Sequence, residues 1–85
     1  MSPLAAAILL ALHEESPEGG MSLPRLGKRL GQGASVLLRE LALMGDAVVG
    51  GVPGPGWVQL TQADGRWRVQ LAPGGRTQVD LLLKE

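Results

Sequence analysis

The chain has no cysteine and a single histidine, His13. Without cysteine there is no disulfide framework, no thiolate metal site and no cysteine nucleophile, which fits a reducing cytoplasm. One histidine leaves few options for general acid or base chemistry, and it falls near the end of a predicted helix, where a partial positive charge is favourable. Net charge is missing too: eight basic and eight acidic residues cancel. The bulk positive field that would announce a nucleic-acid binder is therefore absent, and any electrostatic argument rests on local distribution. No apolar run approaches the roughly 20 residues that a membrane span needs. The longest lies near the start; no lysine or arginine precedes it, and Glu14 and Glu15 follow it, which argues against a signal peptide.

Catalytic constellations are also missing. Glu14 and Glu15 are adjacent and diverge on a helix, so they do not make a paired acid and base, and no Ser/His/Asp set stands out. Thirteen glycines invite a phosphate-loop reading, yet no GxxxxGK[ST] or GxGxxG follows a strand and opens a helix, so they read as turns and caps. The expectation is a binding protein, not an enzyme, with no cofactor and no metal. A length of 85 residues allows one domain with one small core.

What charge there is lies unevenly. Glu14, Glu15 and Glu18 cluster together, whereas from Gly19 to Arg39 there is no acidic residue and four basic ones: Arg25, Lys28, Arg29 and Arg39. The bland interpretation is the solvated faces of two helices. The sharper one is a surface for a polyanion.

Periodicity places the elements. Ser2 and Pro3 suit an N-cap and first helical position for a helix over about 3–14, apolar around nearly its whole circumference, as in a core helix that also meets a second subunit. SPEGGM, at 16–21, is a linker by its proline and paired glycines. Ser22 is the candidate cap of a second helix over about 23–30, with Pro24 in its first turn and Leu23, Leu26 and Leu30 at helical spacing. Gly31 and Gly33 bracket a turn, and a third helix runs over about 34–44. Its core face holds Ala34, Leu37, Leu38, Leu41 and Met44; its opposite face holds Val36, Arg39 and Leu43, flanked by Ser35 and Glu40. Arg39 suits guanine or phosphate, Ser35 a phosphate and Val36 a thymine methyl. A hairpin is expected over about 47–61, with GGVPGPG as its tip and WVQLT as its returning strand.

Helix, helix, turn, helix, hairpin is the order of a winged helix-turn-helix domain. SVLLRELALMG, with Ser35, Leu38, Leu41 and Gly45, is similar to the recognition-helix pattern of ArsR-type bacterial regulators, and Gln59-Leu60-Thr61 resembles the end of the second wing strand in MarR-type proteins. The resemblance implies an α+β fold of three N-terminal helices, a β-hairpin wing and a C-terminal strand pair or helix. It further implies a cytoplasmic, DNA-binding transcription regulator acting on double-stranded DNA, usually as a homodimer. The dimer would form through the N-terminal helix, the C-terminal segment or both. Carried across by position, Lys28 and Arg29 approach the phosphate backbone while Ser35, Val36 and Arg39 enter the major groove; on the DNA-binding reading Arg25 joins Lys28 and Arg29 in neutralising phosphates. Two departures stand out. The expected wing tip carries no charge, and the cysteine and histidine ligands of metal-sensing ArsR proteins are missing, so metal sensing is not inherited. A winged helix that binds protein rather than DNA is the alternative, favoured by Val36, Leu43 and the uncharged tip.

The segment over 62–85 reads two ways. As a helix, Ala63, Trp67 and Leu71 recur at helical spacing until Pro73; as strands, Trp67, Val69 and Leu71 alternate with polar residues, and Val79, Leu81 and Leu83 alternate after a turn at 72–75. Ala63-Asp64-Gly65 is a good hairpin turn, which tips the balance toward strands after Gly65.

Overall fold

The computed structural model describes residues 1–15, 19–46 and 48–84. The expected linker residues 16–18, including Glu18 of the acidic cluster, and Ala47 at the start of the β-branched run lie outside the described residues.

Helix α1 (Pro3–Glu15) is started by Ser2, whose hydroxyl accepts the Ala5 amide at 3.0 Å. Strand β1 (Met21–Ser22) leads directly into α2 (Leu23–Leu30), and Ser22 caps that helix by accepting the Arg25 amide at 3.3 Å, with Pro24 in the first turn. Gly31, at φ 66°, ends α2 in the left-handed conformation and donates its N–H to the Gly27 carbonyl. After Gln32 and Gly33 comes α3 (Ala34–Met44). Two short strands, β2 (Val48–Val49) and β3 (Val52–Pro53), pair across a turn at Gly50 and Gly51. Then β4 (Val58–Ala63) and β5 (Arg66–Leu71) form the long hairpin, and α4 (Pro73–Leu83) closes the domain.

The main sheet is antiparallel with strand order β1-β5-β4. Val58 lies opposite Leu71 and Ala63 opposite Arg66, while Met21 lies opposite Val69 on the other edge of β5. One core joins the layers: Ile8, Leu9 and Leu12 of α1, Leu26 of α2, Leu37, Leu41 and Met44 of α3, Val69 of β5 and Val79 of α4 are all fully buried. Helix α1 sits at its centre, in contact with α2, α3, α4 and β5. That position explains its nearly uniform apolar surface, since a helix packed on several sides has no broad polar face. The architecture is α+β, four helices with a three-stranded antiparallel sheet, and is winged-helix-like. Among the described residues no helix is long and apolar enough to cross a membrane.

Two expectations are corrected. The wing does not span 47–61. Gly50 and Gly51, at φ 60° and 81°, turn the chain at once, so GGVPGPG is split between a small hairpin and an irregular return rather than forming one tip. The return is fixed by Gly56 and Trp57, whose amides donate to the Gly45 and Met44 carbonyls at 3.0 and 2.8 Å. Strand β4 then pairs with β5, because Asp64 and Gly65, at φ 53° and 74°, supply the two positive φ values a tight two-residue hairpin needs. The second correction concerns the end of the chain: Val79, Leu81 and Leu83 lie on a helix, not a strand. Pro73 opens α4, and the Ala72 carbonyl accepts the Gly75 and Arg76 amides at 2.9 and 3.1 Å. Burial follows the helical spacing of Gly75, Val79 and Leu82, leaving Leu81 and Leu83 exposed at 52% and 59%.

Candidate nucleic-acid interface

Helices α2 and α3 are held close by a glycine that no other residue replaces without strain. The Gly27 carbonyl accepts the amides of both Gly31 and Gln32, the latter at 3.0 Å. A Cβ on Gly27 would stand 2.8 Å from the Gln32 carbonyl oxygen and 3.4 Å from a Leu37 methyl. This contact sets the angle at which α3 leaves the turn, and Leu37, fully buried, fixes its rotation.

With Leu37, Leu41 and Met44 turned inward, α3 presents Ser35, Val36, Arg39, Ala42 and Leu43 outward, an arc of about 120° at 100° per residue. Val36 is 44% exposed and Leu43 54%. Ala34, expected in the core, is exposed instead, because the first turn of α3 projects beyond the packed surface. Glu40 is drawn off the arc: the Ser2 hydroxyl donates to its carboxylate at 3.0 Å, tying it to the start of α1. The outward face therefore carries one formal charge, that of Arg39, which makes no ion pair or hydrogen bond among the described residues.

The basic residues of α2 divide into two sets. Lys28 is exposed and has no ion-pair partner among the described residues. Arg25 and Arg29 are engaged by the end of α1. Arg25 meets the Glu15 carboxylate at 3.2 Å, while Arg29 bridges Glu15 at 2.9 Å and also meets Glu14. Partial desolvation pushes the Glu15 carboxyl up, but hydrogen bonds from Arg29 and Arg25 outweigh it and hold the group below the usual carboxylate range. Hydrogen bonds from Arg29 to Glu14 and then Glu15 raise the guanidinium above its ordinary value. Beside this cluster lies an open cleft of about 260 Å³ lined by Glu15, Arg25 and Arg68 together with Gly20, Met21 and Ser22. Arg68 donates to the backbone carbonyls of Gly19 and Gly20 at 2.9 and 3.4 Å, so its charge is not neutralised there.

The wing adds a residue that the sequence reading overlooked. The β4–β5 hairpin turns at Asp64-Gly65, and the next residue, Arg66, is exposed with no ion pair among the described residues. Ala63-Asp64-Gly65 is recognisable as a turn in the sequence, but a wing over 47–61 leaves Arg66 outside it. Between α3 and β4 runs an open groove of about 600 Å³, mostly apolar, with Ala42, Leu60 and Thr61 among its walls.

Of the six residues expected to bind nucleic acid, Ser35, Val36 and Arg39 share the outward face of α3, and Lys28 is open on α2. Arg25 and Arg29 are occupied by carboxylates.

No protein-family model and no curated protein matches the chain. Among solved structures, it is similar to a protein of Ralstonia eutropha JMP134 described as a putative DNA-binding protein, with a TM-score of 0.73 and 28% sequence identity over 96% of each chain.

Proposed function

We propose that this protein binds double-stranded DNA through α3, as a small bacterial-type transcription regulator of the cytoplasm, and that it is not an enzyme. The observation that carries this reading is the outward arc of α3: one open guanidinium, one hydroxyl and no carboxylate, on a helix projected by a glycine-fixed turn. In this role Arg39 and Ser35 take base edges or phosphates and Val36 takes a thymine methyl. Lys28 and the wing residue Arg66 neutralise phosphates to either side. The full-length similarity to a protein described as DNA-binding supports the same reading. A homodimer, formed through the exposed Leu81 and Leu83 of α4 and the neighbouring α1, would present two such arcs to a pseudo-palindromic site.

The test is fluorescence anisotropy with random-sequence duplex and with duplexes selected from a random library. Three cationic contacts per chain, from Lys28, Arg39 and Arg66, predict a log affinity that falls by about 2.7 per log unit of salt for each chain bound, and Arg39→Ala and Lys28→Ala each weaken binding. Failure to bind either pool at low salt contradicts the proposal. A second reading, docking of α3 on a protein, is favoured by the exposure of Val36 and Leu43. It requires that their replacement by serine disrupt an assembly while leaving any DNA affinity intact.

A further inference from the structure

The Arg25–Arg29 side of α2 holds three guanidiniums, including Arg68, against two carboxylates, with a cleft of about 260 Å³ among them. Among the described residues the local charge there is therefore net positive, although the chain as a whole is neutral. The carboxylates come from the last turn of α1, and both arginines stay accessible: their side chains are 69% and 36% exposed. Exposed ion pairs of this kind are individually weak and screened by salt. A DNA strand presents a dense row of phosphates whose association with arginine also releases condensed counterions, a gain that an intramolecular carboxylate does not offer.

From this we infer that the Arg25–Arg29 face is a second phosphate-binding patch, closed in the free protein by its own Glu14 and Glu15, which a backbone phosphate of bound DNA displaces. The inference rests on the DNA-binding reading above. In this arrangement Glu14 and Glu15 imitate the ligand. They lower affinity for arbitrary duplex, and the patch contributes only when α3 is already seated and the phosphate is delivered at high local concentration.

The experiment compares Glu15→Gln with Asp80→Asn, an equal change in formal charge at an exposed carboxylate that has no ion pair among the described residues. Anisotropy is measured with one duplex across a salt series, with thermal unfolding confirming the fold. Glu15→Gln is expected to raise affinity at low salt by up to about fivefold, the worth of an exposed ion pair that no longer has to be broken, and the gain shrinks as added salt screens that pair in wild type. Asp80→Asn brings no comparable gain, and adding Arg29→Ala to Glu15→Gln abolishes the gain and lowers the salt slope by about 0.9, one phosphate contact. In the unmutated protein, the Nε–Hε resonances of Arg25 and Arg29 shift when duplex is added, and inorganic phosphate at equal ionic strength does not reproduce the shift. Equal affinities for the two variants, unmoved arginine resonances, or full reproduction by inorganic phosphate overturn the inference and leave DNA binding through α3 standing. Absence of binding by wild type and every variant overturns both.

Discussion

Replacing Gly27 by alanine separates ordinary helix energetics from the geometry of the turn. In an exposed helix interior this exchange stabilises by about 1 kcal/mol, because glycine is the poorer helix former. At Gly27 the added Cβ meets the Gln32 carbonyl oxygen at 2.8 Å and a Leu37 methyl at 3.4 Å. The leucine can yield a little. The carbonyl is backbone between two bonded units, the Gln32 amide on Gly27 at 3.0 Å and the Gly33 carbonyl that accepts the Leu37 amide at 3.1 Å, so moving it distorts the turn. Overpacking of this kind costs about 1 to 3 kcal/mol, so the net change runs from about zero to a loss of about 2 kcal/mol. In a domain of this size 1 kcal/mol moves the unfolding temperature by about 4 to 8 °C. Helix propensity alone therefore raises the midpoint by that amount, whereas the turn geometry leaves it level or lowers it by up to about twice as much. Thermal unfolding followed by circular dichroism decides between them. A clear rise in midpoint for Gly27→Ala would refute the claim that this glycine is required by the close approach of α2 to the turn.

Gly75→Ala should be more damaging, since its Cβ would lie 2.0 Å from the Trp57 carbonyl oxygen; α4 must lift from the core, and a loss above about 3 kcal/mol is expected in urea unfolding. Leu37→Ala, at a fully buried site, is expected to cost about 2 to 5 kcal/mol and to weaken DNA binding by freeing the rotation of α3. For pH, Glu15 is held below the usual carboxylate range, so the stability it lends is complete above that range and is lost as acid protonates it through the lowered value. The urea midpoint of wild type should accordingly fall further than that of Glu15→Gln between neutral pH and about pH 3, and parallel declines would contradict this. Arg66→Ala should reduce duplex affinity by roughly the same factor on every sequence, as loss of a phosphate contact does.

The helical half of the molecule was legible because each signal was local. Ser2, Ser22 and Gly31 act as caps through contacts within a few residues of themselves, and the leucines of α2 and α3 follow the helical period. The sheet was legible only in part. Asp64-Gly65 announced a turn, but whether Val58–Ala63 pairs with the strand before it or the strand after it is a tertiary choice. The choice was settled by how abruptly Gly50 and Gly51 reverse the chain. The last segment misled because Val79, Leu81 and Leu83 alternate as a strand would, while burial selected Val79 and Leu82 on a helix against α1. On the candidate site, the types and faces of Ser35, Val36 and Arg39 followed from the helical wheel. The pairing of Glu14 and Glu15 with Arg25 and Arg29 did not, although both clusters were visible: the pairing depends on how the end of α1 packs beside α2.

The measurement closest to the central claim is a titration of the isotopically labelled protein with a short duplex at low salt, read as amide chemical-shift changes. Binding through α3 predicts that the largest changes fall on Ser35, Val36 and Arg39, with smaller ones at Lys28 and around Arg66 at the wing tip. No change at any duplex concentration, or changes confined to α1 and the exposed leucines of α4, would contradict it.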